Sequence, residues 1–275
     1  DPFSQETHQP FFVSGGAENN EVRDITVDQQ NQVWIATAGG VFHKAVSDSL
    51  WTPVFNGEQR GPSYAVEQDA SGTVWLGTWD GLYEVKGLEA QKIAGVVGPI
   101  SEITAEGAEV YALGPKGIWK KGSTGWQKSS YSIARSVRDA MADSEGNLWV
   151  ATDAGLYHCS GDSSTLFQDT NELITAYAKA IATGPDQRLW VGVMGGVSVR
   201  AGEKLLHNLT LKEGIPSIHV RSINRSPEGV MWVGTEVGVV RYFPDGKHSL
   251  LFSRRWLTDD RVNQVAFDQE GNAWV

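Results

Sequence analysis

A single cysteine, Cys159, stands in 275 residues, so the chain can build neither an internal disulfide framework nor a cysteine-based zinc site. Positive charge is also scarce. The 23 Lys and Arg are outnumbered by 33 Asp and Glu, giving a formal net charge of −10, and no basic run marks a nucleic-acid or anionic-membrane footprint. Nucleic acid is therefore not an expected partner. No apolar stretch reaches the length of about 18 residues that a membrane helix needs, and "DPFSQETHQP" lacks the basic and apolar regions of a signal peptide. Any membrane attachment is expected from segments outside this sequence. The six histidines show no H-x-x-x-H or H-E-x-x-H pairing, and there is no D-x-D-x-D loop, G-x-S-x-G elbow or G-x-x-x-x-G-K-[ST] loop. Metal, serine-hydrolase and P-loop chemistry thus have no anchor, and neither a catalytic residue, a metal nor a cofactor is expected.

Glycine and tryptophan are plentiful, at 31 and 11 residues. The stretch "DSEGNLWVATDAGLYHC" (Asp143 to Cys159) recurs along the chain with aromatic anchors at Trp34, Trp75, Tyr111, Trp149, Trp190, Trp232 and Trp274. A repeat of about forty residues belongs either to propeller blades or to helical pairs. Short runs rich in Val, Ile, Trp and Tyr, bounded by Gly and Asp, select strands. Each unit reads as strand A (Val137 to Asp143 in the fourth), a tight turn, strand B (Leu148 to Thr152), a second turn, strand C and a more variable strand D.

The two turns have recognisable chemistry. Gly40, Gly81, Gly117, Gly155, Gly196 and Gly238 stand six residues after their anchors, where a short B-to-C hairpin needs positive φ. Asp28, Asp69, Asp143 and Asp268 stand six residues before theirs, with Gly72, Gly146, Gly229 and Gly271 three before in four units. This spacing predicts an A-to-B turn in which Asp caps the bend and Gly takes the left-handed position. The third unit, "ITAEGAEVYAL", is one residue shorter there and is expected to be irregular.

Seven such units predict an all-β fold, a seven-bladed β-propeller of four-stranded antiparallel blades in a single domain spanning residues 1–275. Its last blade is expected to be incomplete at the C-terminus, with Phe11 to Ser14 supplying that blade's outer strand. The chain is expected to be a fragment of a longer receptor.

"VRDAMADSEGNLWVATDAGLY", "VRDITVDQQNQVWIATAGGVF" and "VNQVAFDQEGNAWV" resemble the two-component regulator propeller repeat. The resemblance runs from about Glu21 to the end. It implies a sensory region on the periplasmic or extracellular side of a membrane-anchored bacterial receptor, joined to a histidine kinase or diguanylate cyclase, and it brings no catalytic residues. Two other propeller signatures fail on spacing. A sialidase-type Asp-box places Asp two residues before Gly and five before the aromatic, where "DSEGNLW" has three and six; the quinoprotein tryptophan motif has its Asp further upstream. A streptogramin-lyase-like enzyme remains an alternative, and would pair His219 with Glu236 on one face of the disc.

Candidate binding residues fall on the face that carries the B-to-C turns and D-to-A loops. The second residue of strand A is Arg23, Tyr64, Ser101, Arg138, Lys179, Arg221 and Asn263 in turn. If these point to a channel mouth, four cations form a positive ring suited to an anionic ligand. The competing reading has Asp24, Glu102 and Asp139, one residue on, pair with them. The hairpin tips carry Trp79 and Asp80, Lys116, Asp153, Met194 and Glu236. An exposed Trp beside carboxylates suits stacking on a sugar ring; Tyr131, Tyr177 and His219 are further candidates. The expected function is non-catalytic sensing of a small-molecule or oligosaccharide ligand. Protein–protein scaffolding is the alternative, with neighbouring domains of the same receptor or a second copy of the chain as partner.

Overall fold

The computed structural model describes residues 11–55, 61–87, 89–133, 135–168, 173–252, 257 and 259–275. Its building block is clearest in the fourth blade, whose strands Val137–Ala142, Leu148–Thr152, Gly155–Ser160 and Ser163–Phe167 pair antiparallel in chain order. The A-to-B turn closes as its sequence requires. Asp143 Oδ1 accepts from the Glu145 and Asn147 amides at 3.0 and 2.9 Å, and Gly146 takes φ 80°.

The same aspartate also reaches the anchor, an interaction the turn reading had not included. Trp149 Nε1 donates to Asp143 Oδ2 at 3.0 Å, and equivalent bonds join Trp34 to Asp28 (2.7 Å), Trp75 to Asp69 (2.9 Å) and Trp274 to Asp268 (3.1 Å). The other turn is closed by threonine as well as glycine. The hydroxyls of Thr37, Thr78, Thr152 and Thr235 donate to the carbonyls of Gly40, Gly81, Gly155 and Gly238 at 2.8–3.0 Å.

Four-stranded sheets of this kind span residues 22–53, 63–97, 102–128, 137–167, 178–209 and 220–251. The expectation of seven four-stranded blades is therefore corrected: the described residues form six. The seventh anchor lies in a two-stranded ladder, Ala266–Phe267 with Ala273–Trp274. An aromatic anchor marks a repeat, but a blade also needs two further strands.

The N-terminal closure is corrected too. Residues 11–14 join no ladder. The Val13 amide and carbonyl are satisfied by the Asn20 side chain at 2.8 and 3.0 Å, leaving this segment's groups turned to itself rather than to a neighbouring strand. Val13 packs on Ile35 and Phe42 of the first blade. Phe11 lies 5.2 Å from the Trp274 ring, and the buried Lys44 ammonium sits 4.0 Å from Phe11 and 4.8 Å from Trp274.

The two-stranded ladder bridges the sixth blade to the first. Val262 and Val265 pack with Val239 and Leu251, while Asn31 Nδ2 donates to Glu270 at 3.0 Å and Gln269 Nε2 to the Gln29 carbonyl at 2.9 Å. Elsewhere the cores lie between consecutive blades. Trp149 packs with Ile181, Leu189 and Val191 of the following blade, and Trp75 with Ile103 and Val110. Strand A of each blade is innermost, and residues from these strands line a central channel. No helix among the described residues is long and apolar enough to cross a membrane.

Candidate functional site

A regular strand directs alternate side chains to the two faces of its sheet, which would bury the second residue of strand A between blades. A bulge prevents this. The A–B register shifts between the first and third residues of strand A in five blades: Val22/Asp24, Ser63/Ala65, Val137/Asp139, Ala178/Ala180 and Val220/Ser222. The residue left unpaired is Arg23, Tyr64, Arg138, Lys179 or Arg221. Such a bulge re-aims its side chain. Together with Ser101 and Asn263, these five border one cavity of about 290 Å3 at the mouth of the channel.

The four cations at the mouth differ in how they are satisfied. Arg23 pairs with Glu21 at 3.2 Å and lies 5.0 Å from the Tyr64 ring centre. Arg221 donates to Asn263 Oδ1 at 2.9 Å and pairs with Glu236 at 3.1 Å. Arg138 lies over Tyr177 at 5.7 Å, with no carboxylate partner among the described residues. Lys179 has no hydrogen-bond or ion-pair partner among them. Burial, with Arg221 and Arg138 nearby, holds its ammonium below the ordinary lysine value against the opposing pull of Glu236.

The carboxylates one residue on do not neutralise this ring. Asp24 accepts from the Ile25 amide at 2.9 Å and from Val66 of the next blade at 2.8 Å. Asp139 repeats the arrangement with Ala140 and Ile181, both at 2.8 Å. Each therefore staples its blade to the next, so the expected ring of acid–base pairs is replaced by carboxylate-to-amide bonds. With Glu102 they form a floor beneath the cations, and with Glu67 they continue into a deeper channel cavity of about 530 Å3. Burial pushes Asp24 up to about 6 despite its amide bonds, and raises Asp139 by the same cause. Burial and then the neighbouring carboxylates push Glu67 and Glu102 well above the usual range. Glu67 was not singled out from sequence; it stands two residues after Ala65, the equivalent of Asp24, and so shares that position's face of strand A.

The hairpin-tip residues lie outside the mouth lining, except through Glu236 and its bond to Arg221. Trp79 is 51% exposed and crosses the backbone of Gly61, where an added Cβ would stand 2.8 Å from its indole nitrogen. Asp80 is committed to local structure. It accepts from Thr78 and Lys92 at 2.7 Å and from Tyr83 at 3.0 Å, and these bonds outweigh burial and lower its pKa. Asp153 is exposed at the tip of the fourth blade's turn. Met194 bridges to His219, and Gly195 donates to the Ile218 carbonyl at 2.7 Å, placing these residues together at one hairpin end. His219 is exposed, and Glu236 pairs with Arg221 rather than forming a hydrogen bond or ion pair with His219. Among the described residues no group of three or more His, Cys, Asp or Glu could hold a metal ion.

Comparison with known proteins follows this geometry. Residues 16–39 match the family model described as "Two component regulator propeller". No curated protein matches the chain in sequence. Among solved structures, an extracellular domain assigned to a hybrid two component system of B. thetaiotaomicron is similar at TM-score 0.76 and 14% identity, over 95% of this chain and 38% of that one. A second such domain from B. thetaiotaomicron gives TM-score 0.62 and 16% identity, over 92% of this chain and 44% of that one. Virginiamycin B lyase from Staphylococcus aureus gives TM-score 0.72 and 12% identity, over 90% and 89%. The chain thus spans less than half the length of each of the two extracellular domains. At these identities the likeness is one of fold, which hosts sensors and lyases alike.

Proposed function

Taking the chain as a propeller with the two-component regulator repeat, we propose that it is the non-catalytic sensor module of a bacterial receptor, placed outside the cytoplasmic membrane, and that it takes a small polar ligand at the channel mouth. One observation carries the reading: bulges in five strands turn side chains from five different blades into a single cavity of about 290 Å3. That volume is near the lower end of ligand pockets, at roughly 300 Å3, and suits one sugar residue or a compact acid. The carbohydrate reading adds the exposed Trp79, at a hairpin tip outside the mouth lining, as a stacking platform. The commitment of Glu236 to Arg221 leaves the His219–Glu236 pair of the lyase reading unformed, which favours binding.

A second reading rests on exposed apolar side chains. Met194, Ile218 and Val237 are 42–47% exposed at neighbouring hairpin ends, and a neighbouring domain or second copy would cover them. The mouth reading is tested by a thermal-shift screen of saccharides and small acids on the wild type and the Arg138→Ala/Lys179→Ala double variant. A ligand that stabilises only the wild type supports it. If every stabilising ligand acts equally on both proteins, the site is elsewhere.

A further inference from the structure

The mouth carries two cations with no carboxylate partner at its rim and, at its floor, carboxyl groups that burial makes reluctant to ionise. Arg138 and Lys179 lack carboxylate partners among the described residues, while Arg221 already serves Glu236 and Asn263. After burial, the neighbouring Arg221 and Arg138 disfavour the charged form of Lys179, and a bound anion relieves that repulsion. A second observation lies in the sixth blade, where strand A has Ser222 in place of Asp24 or Asp139. Ser222 is 2% exposed and borders the same cavity. Its hydroxyl has no hydrogen-bond partner in the structure, and an orphaned buried donor is costly unless something accepts from it.

We infer that the mouth binds a small anion, a carboxylate- or phosphate-bearing molecule held by Arg138, Lys179 and Arg221, and that the carboxylate floor makes this binding tighter in acid. The inference rests on the mouth being the ligand site and names the ligand's chemical class. Four cations border the mouth: Arg23, Arg138, Lys179 and Arg221. Facing them are the carboxylates of Glu21 at the rim and of Asp24, Glu102 and Asp139 in the floor, with Glu236 behind Arg221 and Glu67 beside the floor in the deeper cavity. With the floor ionised, the field at the cavity is nearly balanced. With the floor protonated, the cations act unopposed, and the carboxyl groups become donors toward the ligand. By linkage, anion binding also draws protons onto the floor. Asp24 titrates at about 6, so the change falls within the range a bacterium meets outside its membrane.

The test uses sulfate, whose charge is constant between pH 5.5 and pH 8, and neutral glucose, both titrated calorimetrically at fixed ionic strength. The expected result is sulfate binding about tenfold tighter at pH 5.5 than at pH 8. It should weaken at least about tenfold in Arg138→Ala/Lys179→Ala, the loss of one or two charge-assisted hydrogen bonds. Asp139→Asn is expected to flatten the pH dependence, with Asp24→Asn as a second variant should the first misfold. Sulfate binding that is absent, or equal in the double variant, overturns the anion inference. If glucose binding is nonetheless lost in that variant, the mouth stands as the ligand site for a neutral ligand; if glucose is also unaffected, both readings fall.

Discussion

The two ends of the propeller use the same residue types to opposite effect. At the A-to-B end, Asp28, Asp69, Asp143 and Asp268 each accept from turn amides and from an anchor indole. At the mouth, Asp24 and Asp139 also accept two amides each, yet they lie in a confined channel among other carboxylates. At Asp69 the donors outweigh burial and favour the charged form, whereas at Asp24 and Asp139 burial outweighs the amide bonds and disfavours it. A carboxylate's role here follows from the balance between its donors and its burial. The A-to-B end repeats one arrangement in four units, whereas at the mouth the second residue of strand A varies from blade to blade, which is where the proposed recognition would lie.

The largest effect expected from breaking this contrast comes from the anchors. Trp149 is 3% exposed within a core shared by two blades, and Trp149→Ala should cost about 3–5 kcal/mol, read as a lowered midpoint in urea denaturation. Next comes Asp69, which accepts from Trp75, Lys121, Ser71 and Thr73. Burial alone would raise its pKa, but these bonds outweigh burial and depress it. Asp69→Asn should cost about 1.5–3 kcal/mol at neutral pH. Because the folded pKa lies below the unfolded value of 3.8, this contribution is present above about pH 4 and is lost as pH falls below that.

The mouth should show the reverse sign. Asp24 moves from 3.8 to about 6 on folding, so across that window the folded state holds more protons than the unfolded one. Its contribution to stability therefore falls as pH rises from about 4 through 6. Asp24→Asn should flatten the stability profile there while leaving the loss below pH 4 in place. Thermal melts of both aspartate variants from pH 3 to pH 8 separate the two slopes. If Asp24→Asn leaves the profile between pH 4 and pH 7 unchanged, the floor does not titrate as described.

The scaffold was legible in the sequence because its chemistry is local. The spacing of Asp, Gly and Trp places the turn amides and the anchor indole within six residues of the capping aspartate, and Gly155 at φ 140° meets the requirement of its hairpin. The indole bond was within reach of the same pattern: Asp and Trp stand six apart in the four units that form it, while Gly184 and Ser226 replace Asp before Trp190 and Trp232. The number of complete blades was not legible, because Trp274 carries the signature without the outer strands that make a blade. At the mouth, the alignment of units identified Arg23, Arg138, Lys179 and Arg221 as one set. It could not show the bulges that turn them inward, nor that Asp24 and Asp139 reach amides 42 residues away in the next blade. Both depend on register and on blade-to-blade contact, which no short window of sequence contains.

If recognition and stability reside at opposite ends of the disc, mouth and turn variants must fail differently. Sulfate affinity at pH 5.5 and melting temperature are measured together for the wild type, Arg138→Ala/Lys179→Ala and Asp143→Asn. The mouth variant is expected to lose at least about tenfold in affinity while its stability stays within about 0.5 kcal/mol of the wild type. Asp143→Asn should melt lower with its affinity intact. Equal loss of affinity in both variants, or a collapse of stability in the mouth variant, would contradict this separation.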